Sequence, residues 1–98
     1  MHVISRRALV EFWTLHPSAE TPMGAWFKVV SSASFTKFAD VKLTFNSADR
    51  VGEFVVFDVG AGYRIVTVIH FNRGRLYIRH VLTHPEYDRW TTGQRGRR

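Results

Sequence analysis

Three side chains in the second half of the sequence have the types needed for phosphate and proton chemistry: Arg64, His84 and Tyr87. An imidazole can gain or lose a proton near neutral pH, so a histidine suits the work of a general acid or base. Tyr87 and Asp88 follow His84 by three and four residues, which places all three on one face of a helix. A tyrosine there can stack on a base or hold a phosphate. The same triplet also occurs on helix surfaces without a catalytic role, so spacing alone leaves both interpretations open.

Two arginines, Arg64 and Arg79, lie within runs whose composition is typical of buried strands. A cation on such a strand needs a partner or an open face, because an unpaired buried charge is very costly. Strand alternation allows both arginines to lie on one open face, where they would point at a polyanion such as phosphate. The alternative is a carboxylate partner, for which Asp58, Glu53 and Glu86 are available.

The segment that follows the last predicted strand has the pattern of a helix start. Thr83 can cap the helix, Pro85 is allowed in the first turn, and Glu86 stands at the third position. This capping-box pattern accounts for Thr83 and Glu86 structurally. It leaves His84, Tyr87 and Asp88 as the residues available for chemistry.

The elements that must position these residues follow from the hydrophobic pattern. Apolar residues at helical spacing predict two helices joined by a short turn, from Ser5 to about His16 and from Ser18 to about Val30. After them come a loop at 31–34, a short helix at 38–45 and an irregular polar segment at 46–50. The predicted strands are residues 1–4, 54–59, 63–71 and 76–83, with turns at 60–62 and 72–75.

This order predicts an α+β fold. The N-terminal helical hairpin packs on one face of a small, mainly antiparallel β-sheet, and a short C-terminal helix ends the domain. Uninterrupted alternation puts Arg79 on the same side of its strand as Tyr77 and Val81. The second sheet face stays partly open. Residues 1–92 form the predicted domain, and residues 93–98 form a basic, flexible tail.

The composition favours a polyanionic partner. Fourteen Lys and Arg against eight Asp and Glu give a formal charge of +6, which attracts nucleic acid or an acidic protein. Cysteine is absent, so disulfides and thiolate zinc sites are excluded, and no histidine spacing matches a zinc signature. We expect no metal and no cofactor. Neither a membrane span of about 18 apolar residues nor a secretory signal is evident, which favours the cytoplasm.

Several blocks together resemble the HigB family of type II toxin–antitoxin toxins. The first is Arg7, Leu9, Phe12, Trp13, His16 and Pro17, followed in order by the blocks 25–28, 39–42, 63–66 and 83–88. The resemblance covers about residues 1–90. The HigB family is similar to the RelE superfamily, whose members are small basic α+β proteins that cleave messenger RNA, generally on the ribosome. A RelE-like fold is therefore expected here.

The resemblance implies a metal-independent endoribonuclease, in which the RNA 2′-OH attacks the adjacent phosphate and leaves a 2′,3′-cyclic phosphate and a 5′-OH. Arg64 matches the family's strand arginine and would stabilise the phosphate. His84 and Tyr87 would serve acid–base roles or orient the substrate, without an assignment of which is the base. Asp88 would orient His84.

Phosphate contact by Lys42 and Arg79 is a further expectation from the resemblance. The implied partners are mRNA on the ribosome and a HigA-type helix-turn-helix antitoxin, with operator DNA bound only through the antitoxin complex. The alternative function is a non-catalytic nucleic-acid-binding subunit of a repressor complex. It would use the same basic sheet face and would need neither His84 nor Tyr87.

Overall fold

The computed structural model describes residues 1–95, and the side chains through residue 94. It confirms the α+β fold. The helices in this range are α1 (Arg6–Leu15), α2 (Glu20–Ser32), α3 (Phe38–Thr44) and α4 (His84–Arg95), with 3₁₀ turns at Pro17–Ala19 and Phe71–Arg73. The strands are β1 (His2–Ile4), β2 (Asp49–Val51), β3 (Phe54–Val59), β4 (Tyr63–His70) and β5 (Arg75–Thr83). None of the described helices is long and apolar enough to cross a membrane.

The predicted basic tail at 93–98 falls partly outside the described residues. Within them, α4 continues to Arg95.

The helical hairpin of α1 and α2 covers one face of the sheet, as predicted. Leu9 in α1 and Met23, Trp26 and Val30 in α2 are buried, and the α2 residues are spaced so that they lie on one side of the helix. The Trp26 ring meets the fully buried Phe57 of β3 edge-on, with ring centres 5.2 Å apart. Burial of each such side chain contributes roughly 1.5–3 kcal/mol, so this packing fixes the hairpin on the sheet.

Within the described residues, the strands form one sheet in the order β1-β5-β4-β3-β2. β3, β4 and β5 are antiparallel, as predicted, whereas β1 runs parallel to the start of β5. The prediction of an irregular segment at 46–50 is wrong for Asp49 and Arg50, which belong to β2. Val51 is the only buried residue of this three-residue edge strand, so the sequence shows no alternation there.

The alternation predicted for β5 is interrupted at Arg79. The register between β4 and β5 shifts between Val66 and Thr67, and Arg79 is the extra residue on the β5 side. Such a bulge moves the side chains that follow it to the other face. Tyr77 consequently lies on the face away from the hairpin, whereas Val81 packs in the core beneath the hairpin. The prediction that Tyr77 and Val81 share one side is therefore wrong.

The sheet face away from the hairpin has two unlike halves. α4 crosses one of them, which we call the covered half, and packs over the buried residues Val51, Val56 and Val66. The remainder, which we call the open half, carries only exposed or half-buried side chains from β1, β4 and β5. Its residues are His2, Ile4, Val68, His70, Arg75, Tyr77 and Arg79.

Candidate active site

Strand register brings Arg64 to the end of β5, where α4 begins. Arg64 is the second residue of β4 and lies opposite Leu82 of β5 and Asp58 of β3. α4 follows β5 without a connecting loop, since β5 ends at Thr83 and α4 begins at His84. Residues distant in sequence therefore meet at one corner of the covered half.

The predicted capping box is present at the start of α4. The Thr83 backbone N–H donates to Glu86 Oε1 at 2.8 Å, and the Glu86 N–H donates to Thr83 Oγ1 at 3.4 Å. The Thr83 backbone hydrogen bond is the main reason why the pKa of Glu86 lies below its ordinary value, with partial burial acting in the opposite direction. Both residues thus serve the helix, and together they fix His84 at its first position.

Arg64 is held by four neighbouring groups. Its guanidinium donates to Asp58 Oδ1 at 2.9 Å and to the Tyr63 carbonyl oxygen at 3.1 Å. A second guanidinium nitrogen lies 3.2 Å from His84 Nδ1, and Cζ lies 5.4 Å from the centre of the Tyr87 ring. Only 16% of the side chain is exposed. The carboxylate alternative for Arg64 is therefore confirmed, and the guanidinium also contacts His84 and Tyr87. Its contact with phosphate stays a prediction.

The contacts of His84 indicate which ring nitrogen carries its proton. An arginine only donates hydrogen bonds, so Nδ1 accepts from Arg64. The other ring nitrogen, Nε2, lies 3.3 Å from Asp88 Oδ2 and can donate to it. A neutral His84 therefore holds its proton on Nε2 and its free electron pair on Nδ1. Asp88 is placed as predicted, one helical turn after the imidazole.

Tyr87 lies beneath the Arg64 guanidinium at this corner. Arg64 lies over its ring, and the Trp90 ring stacks beside it with centres 6.0 Å apart. Trp90 in turn meets Phe54 edge-on at 5.2 Å. Because Tyr87 is half-buried in this aromatic cluster, its ring has little freedom to move.

Lys42 and Arg79 lie outside this group of contacts. The Lys42 ammonium donates to the Ala48 carbonyl oxygen at 2.7 Å, which ties α3 to the segment before β2. The Arg79 guanidinium lies 5.5 Å from the ring centre of Tyr77 on the open half. Among the described residues, neither cation contacts the side chains of Arg64, His84 or Tyr87. The structure thus brings together Arg64, His84, Tyr87 and Asp88, but not the two predicted phosphate-contact residues.

A second group of side chains, not predicted from the sequence, lies next to the capping box. His16, at the end of α1, stacks on Phe12 with ring centres 4.3 Å apart, and Phe12 meets Tyr63 edge-on at 5.5 Å. The Tyr63 hydroxyl hydrogen-bonds to Ser18 Oγ. His16 also contributes, less than Thr83, to the lowered pKa of Glu86. The pairing of Tyr63 with Thr83 places Tyr63 beside the capping box, whereas the position of His16 depends on how α1 packs.

The corner can hold a phosphate and move protons. Arg64 supplies a fixed cation, His84 supplies an imidazole, and Tyr87 supplies a phenol on the same surface. The start of α4 also presents the positive end of a helix dipole. Among residues 1–94, no group of three or more His, Asp or Glu side chains is arranged to hold a metal ion.

Comparisons with known proteins point to one family. Residues 19–90 match the family HigB_toxin, described as the RelE-like toxic component of a toxin–antitoxin system. The mRNA interferase toxin HigB of Escherichia coli (strain K12) is 32% identical over 99 residues, covering 97% of this chain and 95% of that protein. The mRNA interferase HigB of Escherichia coli O6:H1 is 25% identical over 95 residues, covering 93% and 92% respectively.

Proposed function

The chain belongs to the HigB family of RelE-like toxins, and from that premise we propose that it cleaves mRNA on the ribosome and thereby stops translation. The observation that carries this proposal is the contact of one guanidinium, that of Arg64, with both His84 and Tyr87. A phosphate bound to this arginine would lie next to an imidazole and a phenol. Internal cleavage of RNA needs a base, an acid and a positive charge beside the phosphate, and these three groups can supply them.

We propose that the ribose 2′-OH attacks the adjacent phosphorus, and that the bond from phosphorus to the 5′-oxygen breaks. Arg64 stabilises the negative charge that grows on the phosphate oxygens. Because Arg64 supplies this positive charge, the proposed reaction needs no metal ion. The products are a 2′,3′-cyclic phosphate and a free 5′-OH.

His84 is the base in this proposal. Its free electron pair on Nδ1 accepts a hydrogen bond from Arg64 in the free protein. When a phosphate takes the arginine donors, Nδ1 becomes available for the proton of the 2′-OH. Asp88 accepts the Nε2 hydrogen, keeps the ring in place and stabilises the imidazolium that forms. Tyr87 then delivers a proton to the leaving 5′-oxygen.

The partners follow from the same premise. We propose that the toxin acts in the cytoplasm on mRNA in the ribosome. We further propose that a HigA-type helix-turn-helix antitoxin neutralises it, and that operator DNA is bound only through the complex with this antitoxin. The charge of +6 supports a polyanionic target.

Induced expression combined with mapping of transcript ends tests the proposal. Wild-type protein should arrest growth and create new 5′-OH ends within coding regions. Arg64→Ala and His84→Ala should each abolish both effects while the proteins remain folded and bind the antitoxin. Full toxicity of both variants would contradict the site assignment.

The same experiment separates the alternative function. A non-catalytic nucleic-acid-binding subunit would give no new transcript ends in the wild type, and its RNA affinity would not depend on His84.

A further inference from the structure

The middle of the C-terminal half is unusually one-sided in charge. Residues 59–85 contain four arginines and three histidines but no aspartate or glutamate, although the whole chain has eight acidic residues. The arginines are Arg64, Arg73, Arg75 and Arg79. Only Arg64 belongs to the corner described above, so the other three need a separate account.

These cations converge on the open half of the sheet. Arg75 lies opposite His70 in the pairing of β4 with β5, and opposite His2 in the pairing of β1 with β5. Arg73 lies in the turn that joins β4 to β5, two residues before Arg75. All four side chains are exposed. A patch of positive charge therefore surrounds the exposed end of the β4–β5 hairpin.

The cations of the open half have no carboxylate partners among the described residues. Ion pairs join Arg7 to Glu11, Arg64 to Asp58 and His84 to Asp88, all of them outside the open half. Glu11 does share a shallow groove with Arg79, between α1 and β5. That carboxylate is already bonded to Arg7 at 3.1 Å, so it leaves the charge of the open half uncompensated.

The aromatic ring of Tyr77 lies among the basic side chains of the open half. Tyr77 is half-buried between β1 and β4, opposite Ile4 and Val68. His70 meets its ring edge-on at 5.2 Å, and the Arg79 guanidinium lies 5.5 Å from the ring centre. Aromatic rings and guanidinium planes among phosphate-binding cations are the groups on which proteins stack unpaired RNA bases.

We propose that the open half is a second RNA-binding surface, distinct from the corner that holds Arg64. Arg75 and Arg79 bind phosphates, and a base stacks against Tyr77. This inference rests on the proposed function for its choice of RNA as the partner. Arg75 lies opposite His70, six residues from Arg64 along β4, and Tyr77 lies opposite Val68, four residues from it. These separations are roughly 20 Å and roughly 13 Å, and Arg79 at the bulge is nearer. The surface therefore contacts nucleotides away from the scissile phosphate and adds affinity without chemistry.

A binding assay with a non-cleavable RNA tests this without reference to cleavage. The probe is a fluorescent single-stranded RNA with 2′-O-methyl groups, titrated with purified full-length protein at several salt concentrations. Arg75→Gln/Arg79→Gln should bind at least tenfold more weakly, and the slope of log affinity against log salt should fall by about 1.4 for the two lost phosphate contacts.

The matched control is Lys28→Gln/Lys37→Gln, which removes the same charge from exposed positions on α2 and before α3. It should change the affinity less than threefold. An equal loss in both double variants would overturn the proposal, since net charge alone would then explain the binding.

Tyr77 provides a second test that leaves the charge unchanged. Tyr77→Phe should keep the affinity, whereas Tyr77→Leu should lose about fivefold or more for single-stranded RNA. Circular dichroism melts identify any variant that fails to fold. Equal binding by folded Leu and Phe variants would remove the stacking step and contradict the proposal.

Two further arms identify the source of the RNA and the competing partner. If Arg75→Gln/Arg79→Gln also fails to pellet with small ribosomal subunits free of mRNA, the ligand is ribosomal RNA; a loss confined to the free RNA identifies mRNA. Both outcomes support the proposal. Unchanged RNA affinity with weakened antitoxin binding would overturn it. Failure of cleavage with intact RNA binding would remove the proposed enzymatic function and leave this surface in place.

Discussion

The corner around Arg64 and the open half of the same sheet face both carry arginines, but these arginines differ in burial and in their partners. Arg64 is 16% exposed and is held by a carboxylate, a carbonyl oxygen, an imidazole and an aromatic ring. Arg75 and Arg79 are exposed and have no carboxylate partner among the described residues. The same side-chain type is thus enclosed by several partners in one region and exposed without a carboxylate partner in the other.

This difference matches what each task requires. Stabilising a transition state needs a donor that is already in position, because reorganisation during the reaction raises the barrier. Binding a polyanion needs charge that can follow a flexible backbone, and its strength depends mainly on the number of phosphates contacted. Asp58 and α4 supply the fixation at the corner, and neither reaches the open half.

The largest effect on RNA cleavage should come from a substitution that keeps the positive charge of Arg64 but changes the arrangement of its hydrogen-bond donors. Arg64→Lys retains a cation but loses the planar guanidinium fork, whose two nitrogens reach Asp58 and His84 separately. We expect RNA cleavage to fall on the order of 100-fold, close to the loss in Arg64→Ala. Arg7→Lys, on the exposed face of α1, is the matched control and should cleave normally. Near-normal cleavage by Arg64→Lys would show that charge alone suffices at the corner.

A smaller effect should follow when the fixed arginine loses its carboxylate. Asp58→Asn removes the negative charge that holds one side of the guanidinium, so Arg64 should be held less firmly. We expect cleavage to fall about tenfold through misplacement. Stability should fall by less than about 1 kcal/mol, since Asp58 is partly exposed. Single-turnover cleavage and thermal melts measure the two effects, with Glu53→Gln as the control.

The capping box tests whether α4 is what keeps the corner rigid. Thr83→Ala removes the Oγ1 acceptor and should lower the free energy of unfolding by about 1 kcal/mol. For a chain of this length that corresponds to a fall in Tm of about 4–8 °C. Thr14→Ala, which removes a hydroxyl bonded within α1, is the control. The comparison would be weakened if Thr83→Ala lowered Tm no more than the control did.

The smallest effect should be a dependence of stability on acidic pH. The pKa of Glu86 is lowered in the folded protein, so its contribution to stability is present above the ordinary value of 4.5. It is lost as the pH falls through the lowered folded value. We expect Glu86→Gln to have a slightly lower Tm than wild type at neutral pH, with the gap closing in acid. A gap that stays constant down to strong acid would contradict this origin.

Local patterns in the sequence were enough for the helical hairpin, the β3–β5 meander and the capping box. Each depends on a period or a cap that neighbouring residues define. The carboxylate alternative for Arg64 was also available, because Asp58 lies within one hairpin of it. The position of His16 beside the capping box was not predictable in the same way, since it depends on how α1 packs against β4.

The two wrong predictions, for β2 and for the alternation of β5, share a physical cause. β2 is a short edge strand with one buried residue, and the bulge at Arg79 adds one residue to β5. Neither leaves a local signal, because pairing partners decide both. The bulge matters for the proposed RNA-binding surface, since it puts Tyr77 and Val81 on opposite faces and leaves Arg79 beside the Tyr77 ring.

The parallel pairing of β1 with β5 has a consequence for the order of folding. His2 and Arg75 are paired although they are 73 positions apart in the chain, whereas the corner uses only residues 58–88. Contacts between distant residues carry a larger loop-closure cost and form late. We therefore expect the meander and α4 to assemble the corner first, and β1 to complete the open half last. The proposed RNA-binding surface would then form after the proposed catalytic corner.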